Sequence, residues 1–314
     1  MIKKIGVLGA GTMGMGVAES FGMYGYDVNL WTSKTPEAIK QKIASDLQIM
    51  VEEEFITKQQ LQSAIDNVHV FSDQKAAVAD RDYVIENIPE NLQLKQETFK
   101  NMDGWCPETT IFASNTTTLP LTKMMEMVSD KRKQRMIVCH WFNPPTIMPI
   151  VELSFFGNMP EPIYKEVEGL FKGIKKQTVK VLKDVPGMVA ARIQQGIARE
   201  AFSLIEQGIA APEDVDKALK FGPAFRYATT GQMEVADFGG LDIWLIAGDN
   251  LLKVMDNRQS GNPLLRKKVE EGKLGVKSGE GFYKYKPEEI PAIRKRFVQR
   301  LIHQLKASEY YVID

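Results

Sequence analysis

Apolar positions in the first half of the chain alternate between short continuous runs and a helical spacing. Such runs are typical of buried strands, and repeats at three and four residues are typical of amphipathic helices. The predicted strands are Lys3–Leu8, Asp27–Trp31, His69–Phe71, Tyr83–Glu86, Thr110–Ser114 and Met136–Trp141, with two further strand-like runs at Ile150–Phe155 and Thr178–Leu182. Helical patterns separate them, among them Thr35–Glu52, Leu92–Asp103 and a helix beginning near Pro162. This alternation predicts an α/β fold, with a mostly parallel, doubly wound sheet between helices.

The pattern changes at Asp184-Val185-Pro186-Gly187, after which strand signals almost vanish. The later helical patterns are Ala190–Gln207, a helix opened by Pro212-Glu213-Asp214, Leu241–Val254 and Pro291–Lys306. We therefore predict a sheet domain over residues 1–185 and an all-helical domain over residues 186–314. A long, largely apolar helix in so small a domain needs a partner to cover it, and a homodimer is expected.

Composition narrows the class of protein. The formal net charge of the 314 residues is zero, which gives no electrostatic reason to expect nucleic acid or an anionic membrane as a partner. No apolar run approaches the roughly 18 residues of a membrane span. The two cysteines, Cys106 and Cys139, exclude a disulfide scaffold and indicate a reducing cytoplasm. No Cys/His cluster has metal-site spacing, and neither His69 nor His303 is assigned a role.

A glycine-rich turn follows the first predicted strand. Gly9, Gly11 and Gly14 form G-x-G-x-x-G, with Thr12 and Met13 between the last two glycines, and a helical pattern continues from there. The glycines permit a tight turn, a close approach of the backbone to a pyrophosphate, and close packing of helix and strand. The pyrophosphate would lie at the start of the helix, where free N–H groups favour an anion. This turn predicts dinucleotide binding; the alternative is a purely structural strand–helix turn.

The end of the second strand carries Thr32-Ser33-Lys34, and no carboxylate is present there. NAD-binding folds usually place Asp or Glu at this point for the ribose 2′-hydroxyl, whereas hydroxyls and a cation suit a 2′-phosphate. We therefore favour NADP(H) as the cofactor, with NAD(H) possible. The alternative is that Thr35 and Pro36 simply begin a helix and that Ser33 and Lys34 are a solvated loop.

Candidate chemistry lies at the ends of later strands. His140 is near the end of a predicted strand, where ligands of doubly wound sheets bind, and histidine is a side chain that can exchange a proton with a hydroxyl. Glu152 lies between apolar residues and needs a partner; a bond to His140 would fix the imidazole tautomer. The segment Ala113–Thr118 offers hydroxyls and an amide for substrate and cofactor. A structural role remains the alternative for each of these features.

Five segments taken together resemble the L-3-hydroxyacyl-CoA dehydrogenase family, in the family's order and over nearly the whole chain. They are the glycine turn, Glu90 with Lys95, Ala113-Ser114-Asn115-Thr116-Thr117, His140-Trp141-Phe142-Asn143-Pro144 with Glu152, and Gly279-Glu280-Gly281-Phe282-Tyr283. The resemblance implies a Rossmann domain, a helical C-terminal domain that dimerises, and reversible oxidation of a 3-hydroxyacyl group. The last ~28 residues lie beyond the usual end of such chains.

Residue roles follow from the same resemblance. It implies that His140 is the general base, that Glu152 orients it, and that Thr117 takes the place of a substrate-contacting serine. Asn115, Glu90 and Lys95 match residues that contact the cofactor near its nicotinamide end, and Asn143 is counted among the substrate contacts.

Three departures from the family pattern bear on substrate and cofactor. Thr32 stands where the family usually has its ribose-binding Asp, and Thr117 adds a methyl group to the usual serine. Ala191 replaces an Asn that contacts substrate, which removes a hydrogen bond to the substrate oxygen. The segment Phe221–Ala228 resembles a branch that includes lambda-crystallin-like L-gulonate dehydrogenases, in which Arg226 would grip a free carboxylate; a helix-end salt bridge is its alternative role.

The sequence therefore predicts a nicotinamide-dependent oxidoreductase that transfers a hydride at C3 of its substrate. A short 3-hydroxyacyl-CoA is the first choice, and reduction of a 3-keto compound is the expected direction if NADP(H) is used. A free 3-hydroxy or 3-keto carboxylate held by Arg226 is the second choice. A non-catalytic crystallin-like or cofactor-binding protein is the rival of a different class.

Overall fold

The computed structural model describes residues 2–308. The strands are β1 (Lys4–Leu8), β2 (Asp27–Trp31), β3 (Val68–Phe71), β4 (Tyr83–Glu86), β5 (Ile111–Ser114), β6 (Met136–Trp141), β7 (Ile150–Ser154) and β8 (Gln177–Val181). The helices of the sheet region are α1 (Thr12–Met23), α2 (Pro36–Glu52), α3 (Lys58–Asn67), α4 (Gln74–Val78), α5 (Leu92–Trp105), α6 (Leu121–Met124), α7 (Asp130–Lys133) and α8 (Glu161–Gly173). The later helices are α9 (Ala190–Glu206), α10 (Pro212–Phe221), α11 (Pro223–Tyr227), α12 (Gln232–Gly239), α13 (Leu241–Leu251), α14 (Pro263–Glu270) and α15 (Ile290–Ser308).

The eight strands form one sheet in the order β3-β2-β1-β4-β5-β6-β7-β8. Neighbouring strands are parallel except β6 and β7, which run antiparallel. The predicted α/β class and mostly parallel sheet are confirmed, and each strand lies within one residue of its predicted limits. The two strand-like runs after β6 do extend the sheet, as β7 and β8.

Two short helices between β2 and β4 were not singled out from the pattern. Helix α3 begins with a capping box, in which Thr57 accepts from the backbone of Gln60 and the Gln60 side chain accepts from the backbone of Thr57. Helix α4 is capped by Asp73, which accepts from the N–H of Ala76. Both helices are short, and the capping residues Thr57 and Asp73 are the sequence signals that mark where they begin.

Apolar side chains cover both faces of the sheet. On one face Phe99 of α5 stacks with Phe112 of β5, within a buried cluster that includes Val84 and Val138. On the other face the rings of Phe21, Tyr83, Trp141 and Phe171 pack edge-on or tilted at 5.4–6.4 Å. Alternate residues of β6 therefore point to opposite faces, and His140 shares the face of Val138 at the strand's carboxyl end.

Backbone contacts divide the chain into two compact units, with the division between Ala191 and Arg192. The second unit is helical in its described part, as predicted. Within it Phe202 stacks on Phe282 at 5.5 Å, and the Tyr283 hydroxyl donates to Asp216. Helix α13 leaves a row of large apolar side chains exposed: Leu241, Ile243, Leu245, Ile246 and Leu251. Among residues 2–308, no helix combines the length and the apolar character needed to cross a membrane.

Candidate active site

The glycine turn joins β1 to α1. Gly9 has a φ of +105°, and a Cβ there would lie 2.7 Å from the carbonyl oxygen of Asn87. A Cβ on Gly14 would lie 1.8 Å from the carbonyl oxygen of Gly9, so helix and strand approach each other only without a side chain. A Cβ on Gly11 would meet nothing within 4 Å, and no side chain caps α1. The uncapped N–H groups and the open turn fit the pyrophosphate of a dinucleotide.

His140 lies near the end of β6, directly opposite Glu152 of β7. Its Nδ1 is 2.9 Å from Oε2 of Glu152, and its Nε2 is 3.1 Å from Oγ1 of Thr117. Because a carboxylate only accepts hydrogen bonds, Nδ1 carries the proton in the pair with Glu152. Nε2 is then the nitrogen that accepts, and the Thr117 hydroxyl donates to it. The Phe142 ring packs edge-on against the imidazole, with ring centres 4.8 Å apart.

Glu152 is fully buried, and both of its carboxylate oxygens are occupied. Oε2 bonds His140, and Oε1 accepts from the backbone N–H groups of Val189 and Ala190, each at 2.8 Å. Burial acts to raise the pKa of the Glu152 carboxyl, but these hydrogen bonds outweigh it and hold the pKa below its ordinary value. Glu152 is therefore an ionised, fixed partner for the imidazole.

Thr117 lies in a loop that follows β5 and is held by Glu90. Oε1 of Glu90 accepts from the hydroxyls of Thr116 and Thr118 and from the backbone N–H groups of Thr117 and Thr118, at 2.6–3.2 Å. Burial opposes ionisation of Glu90, yet these bonds and Lys95 lower its pKa to about 2. The loop's hydroxyls thus serve mainly to hold its own shape, while Oγ1 of Thr117 faces His140.

A buried ion pair lies beneath this loop. Nζ of Lys95 is 2.8 Å from both carboxylate oxygens of Glu86 and 3.4 Å from Oε2 of Glu90. Glu86 also accepts from the Ser114 hydroxyl and from the backbone N–H of Ile88. Lys95 is 1% exposed, so the structure places it as an internal cation between two carboxylates.

A buried lysine holds the loop that joins β6 to β7. Nζ of Lys176 donates to the carbonyl oxygens of Pro145 and Met148, at 2.6 and 2.7 Å, and lies 5.4 Å from the centre of the Trp141 ring. Burial lowers the pKa of Lys176 to about 7. A Cβ on Gly16 would lie 2.9 Å from the Pro145 ring, so the same loop packs closely against α1.

A cavity of about 240 Å³ lies at the carboxyl ends of the central strands, lined by Met13, Asn87, Ile88, Glu90, Lys95, Asn115, Thr117 and Thr118. The amide of Asn115 donates to Oδ1 of Asn87 and accepts from the backbone N–H of Trp141. Among the lining residues, Met13 follows Thr12 in α1, and Thr117 carries the hydroxyl that faces His140. Its position beside the glycine turn fits the nicotinamide end of a dinucleotide.

The predicted 2′-phosphate segment follows β2. Thr32 is buried, and its hydroxyl accepts from the backbone N–H of Lys34 at 3.0 Å. Ser33 and Lys34 are exposed. Helix α2 has Thr35 at its N-cap position without a side-chain cap bond and Pro36 at its first position.

The remaining predicted substrate residues lie outside this cluster of hydrogen bonds. Asn143 is exposed in the loop after β6. Arg226 is exposed on α11, and within residues 2–308 its guanidinium pairs with no carboxylate. No group of three or more His, Cys, Asp or Glu in the described range is arranged to hold a metal.

The structure adds site residues that the sequence pattern did not single out. Asn87 follows β4 and bonds Asn115, and the backbone of Val189 and Ala190 bonds Glu152. Asn87 had a readable signal, because it follows a buried strand at the same sheet edge as His140. The N–H groups at 189 and 190 had none, since any residue except proline supplies them.

Both parts of the chain match family models. Residues 4–185 match the 3-hydroxyacyl-CoA dehydrogenase NAD binding domain, and residues 187–285 match the 3-hydroxyacyl-CoA dehydrogenase C-terminal domain. The stretch from residue 286, which contains α15, lies beyond both models.

Individual relatives match along most of their length. A 5-formyl-3-hydroxy-2-methylpyridine 4-carboxylate 5-dehydrogenase of Mesorhizobium japonicum is 33% identical over 96% of this chain and 97% of its own. A probable 3-hydroxybutyryl-CoA dehydrogenase of Bacillus subtilis is 35% identical over 90% of this chain and 98% of its own. A solved structure of a 5-formyl-3-hydroxy-2-methylpyridine 4-carboxylic acid 5-dehydrogenase, described as an NAD⁺-dependent dismutase, has a TM-score of 0.89 at 30% identity and covers 98% of this chain and 99% of its own. With matches of this extent, the chain belongs to the 3-hydroxyacyl-CoA dehydrogenase family.

Proposed function

We propose that the protein is a nicotinamide-dependent oxidoreductase that interconverts a hydroxyl-bearing carbon and a carbonyl, with His140 as general acid and base. The observation that carries this proposal is the position of His140, between the buried carboxylate of Glu152 at 2.9 Å and the hydroxyl of Thr117 at 3.1 Å. A base held by an orienting carboxylate, next to a cavity that fits the nicotinamide end of a dinucleotide, is the arrangement that such chemistry needs.

Each of the three side chains has one part in the reaction. Nε2 of His140 takes the substrate's hydroxyl proton in oxidation and returns it in reduction. Glu152 keeps the proton on Nδ1 and stabilises the imidazolium that forms. The Thr117 hydroxyl donates to the substrate oxygen once that oxygen displaces it from Nε2. A nicotinamide bound in the cavity supplies hydride acceptance and donation.

The first candidate substrate is a short 3-hydroxyacyl-CoA or the corresponding 3-ketoacyl-CoA. The family supports it, and so does the retention of His140, Glu152, Thr117 and Asn115 in one connected site. On this assignment the protein belongs to fatty acid metabolism.

The second candidate is a free carboxylate, for which Arg226 supplies an unpaired cation. Two observations favour it. Ala191 stands where an amide would contact an acyl-CoA substrate, and the match to the pyridine carboxylate dehydrogenase extends over 96% of this chain, against 90% for the hydroxybutyryl-CoA enzyme. The substrate of that relative carries both a formyl group and a carboxylate.

For the cofactor we propose NADP(H) over NAD(H). The support is the absence of a carboxylate at the end of β2, where exposed Ser33 and Lys34 offer a hydroxyl and a cation to a 2′-phosphate. With NADP(H) the expected direction is reduction. NAD(H) is the alternative, since one relative of known structure is described as NAD⁺-dependent.

For the assembly we propose a homodimer formed by the helical domain, with the domain boundary between residues 185 and 186. The exposed apolar row on α13 supports it, because a patch of this kind is rarely left in water. Both cysteines are buried free thiols, which suits the reducing cytoplasm in which we place the protein.

The test is oxidation of NADPH and of NADH, measured side by side with acetoacetyl-CoA and with a panel of free 3-keto acids. We expect turnover in the wild type, loss of turnover in His140→Gln, and unchanged turnover in His69→Gln, whose imidazole is exposed on β3. Turnover by acetoacetyl-CoA selects the first candidate, and turnover by keto acids alone selects the second. Tight coenzyme binding with no turnover of any of these substrates would refute the proposed enzymatic activity and favour a non-catalytic, crystallin-like or cofactor-binding protein.

A further inference from the structure

The two partners of His140 are tied to the same short segment of backbone. The N–H of Gly187 donates to the carbonyl oxygen of Thr117 at 2.8 Å. The N–H groups of Val189 and Ala190 donate to Oε1 of Glu152 at 2.8 Å each. The 187–190 segment therefore bonds the group on the Nε2 side of the imidazole and the group on its Nδ1 side.

The conformation of the 187–190 segment directs these three N–H groups. Gly187 and Met188 both have positive φ values, +77° and +47°. Such a value is unfavourable for methionine and persists only where the surroundings enforce it. Packing of the Met188 side chain holds the backbone in this conformation, because the residue is 6% exposed and lies in the core cluster with Val138.

The start of α9 adds an electrostatic contribution. Ala190 is the first residue of this 17-residue helix, so its N–H has no partner within the helix. The carboxylate of Glu152 occupies that position, where the helix dipole stabilises a negative charge. The same two bonds contribute to the lowered pKa of the Glu152 carboxyl.

We propose that the 187–190 segment is a positioning element of the catalytic site, which sets the orientation of His140 through Glu152 and Thr117 without touching substrate. The inference rests on the proposed function for its kinetic consequence, and on geometry alone for its effect on the His140–Glu152 bond. The segment joins the sheet domain to α9, so its backbone conformation and the alignment of the base are linked.

Ala190→Pro tests the proposal, because proline is tolerated at the first position of a helix and removes one N–H from Glu152. We expect kcat to fall about tenfold, equivalent to about 1.4 kcal/mol, with the coenzyme Kd unchanged. Lys58→Pro, at the first position of α3, is the matched control and should leave kcat unchanged. Met188→Gly is the second variant, since glycine accepts the positive φ but gives up the anchoring side chain.

Two further readouts separate positioning from general stability. The low-field ¹H NMR resonance of the His140–Glu152 bond, assigned by its loss in His140→Gln, should shift in Ala190→Pro and Met188→Gly. In a Glu152→Ala background, Ala190→Pro should cause no further fall in kcat, because the N–H acts through Glu152. An unmoved resonance, or an equal fall in both backgrounds, would overturn the proposal. The resonance reports on the segment even if no substrate turns over, so failure of the proposed function is distinguishable.

Discussion

Glu19 of α1 gives the stability of the sheet domain a pH dependence that one substitution removes. Its side chain is 3% exposed, and within residues 2–308 its Oε1 has no hydrogen-bond partner. Burial raises the pKa of Glu19 from its ordinary value of 4.5 to about 8; Asp46 adds to the increase and Lys42 partly offsets it. Glu19 is therefore protonated in the folded protein at neutral pH.

The sign and size of the effect follow from this difference. In the unfolded chain Glu19 loses its proton near pH 4.5, whereas the folded protein holds it to about pH 8. The unfolded state therefore binds fewer protons in this window, and the free energy of unfolding falls as the pH rises through it. The contribution of Glu19 to the free energy of unfolding is therefore at its maximum below about pH 4.5, and it is lost as the pH rises to about 8. At about 1.4 kcal/mol per pH unit, the change amounts to about 5 kcal/mol.

Urea unfolding of the wild type and Glu19→Gln between about pH 5 and about pH 8 measures it. A Trp244→Phe background leaves Trp31, Trp105 and Trp141, so fluorescence then reports on the sheet domain alone. We expect Glu19→Gln to gain several kcal/mol relative to the wild type as the pH rises, while Glu37→Gln, on an exposed first turn, tracks the wild type. If the wild type and Glu19→Gln differed by the same amount at every pH, the reasoning would be refuted.

Three further predictions concern the site and cofactor. Thr117→Val removes the hydroxyl 3.1 Å from His140 at nearly constant size, and kcat should fall about 10²-fold while Thr117→Ser keeps activity; equal kcat values would contradict its role. Lys95→Met leaves Glu86 as an unpaired buried charge, and the free energy of unfolding in urea should drop by about 3–5 kcal/mol, in contrast to an exposed control such as Lys100→Met. Thr32→Asp should weaken NADPH binding and strengthen NADH binding in fluorescence titrations; an unchanged ratio of the two Kd values would refute the assignment of this segment.

The fold could be predicted because its signals are local. A short apolar run such as Tyr83–Glu86, between two helical patterns, predicts a buried strand without any knowledge of which strands lie beside it. The rule that ligands bind at the carboxyl ends of parallel strands then directs attention to His140 and Asn115. The position of Glu152 between apolar residues also predicts that its carboxylate needs a partner, and the hydrogen bond to His140 supplies one.

The rest depends on contacts between positions far apart in the chain. One carboxylate oxygen of Glu90 accepts four hydrogen bonds from residues 116–118. These bonds join the loop after β4 to the loop after β5, and no spacing in the sequence predicts them. The burial of Lys95 is of the same kind, because a lysine on a mostly polar helix is ordinarily solvated. The backbone donors at 189 and 190 carry no residue signature at all.

The cross-strand pairing of His140 and Glu152 has a consequence for how this site tolerates insertions. Because the two residues are matched by the β6–β7 register, loop residues 142–149 can change in number without separating them. A single residue gained or lost inside either strand turns every later side chain to the opposite face and takes the carboxylate away from the imidazole. A change of length therefore preserves the pairing of His140 and Glu152 only when it falls in the loop, outside both strands.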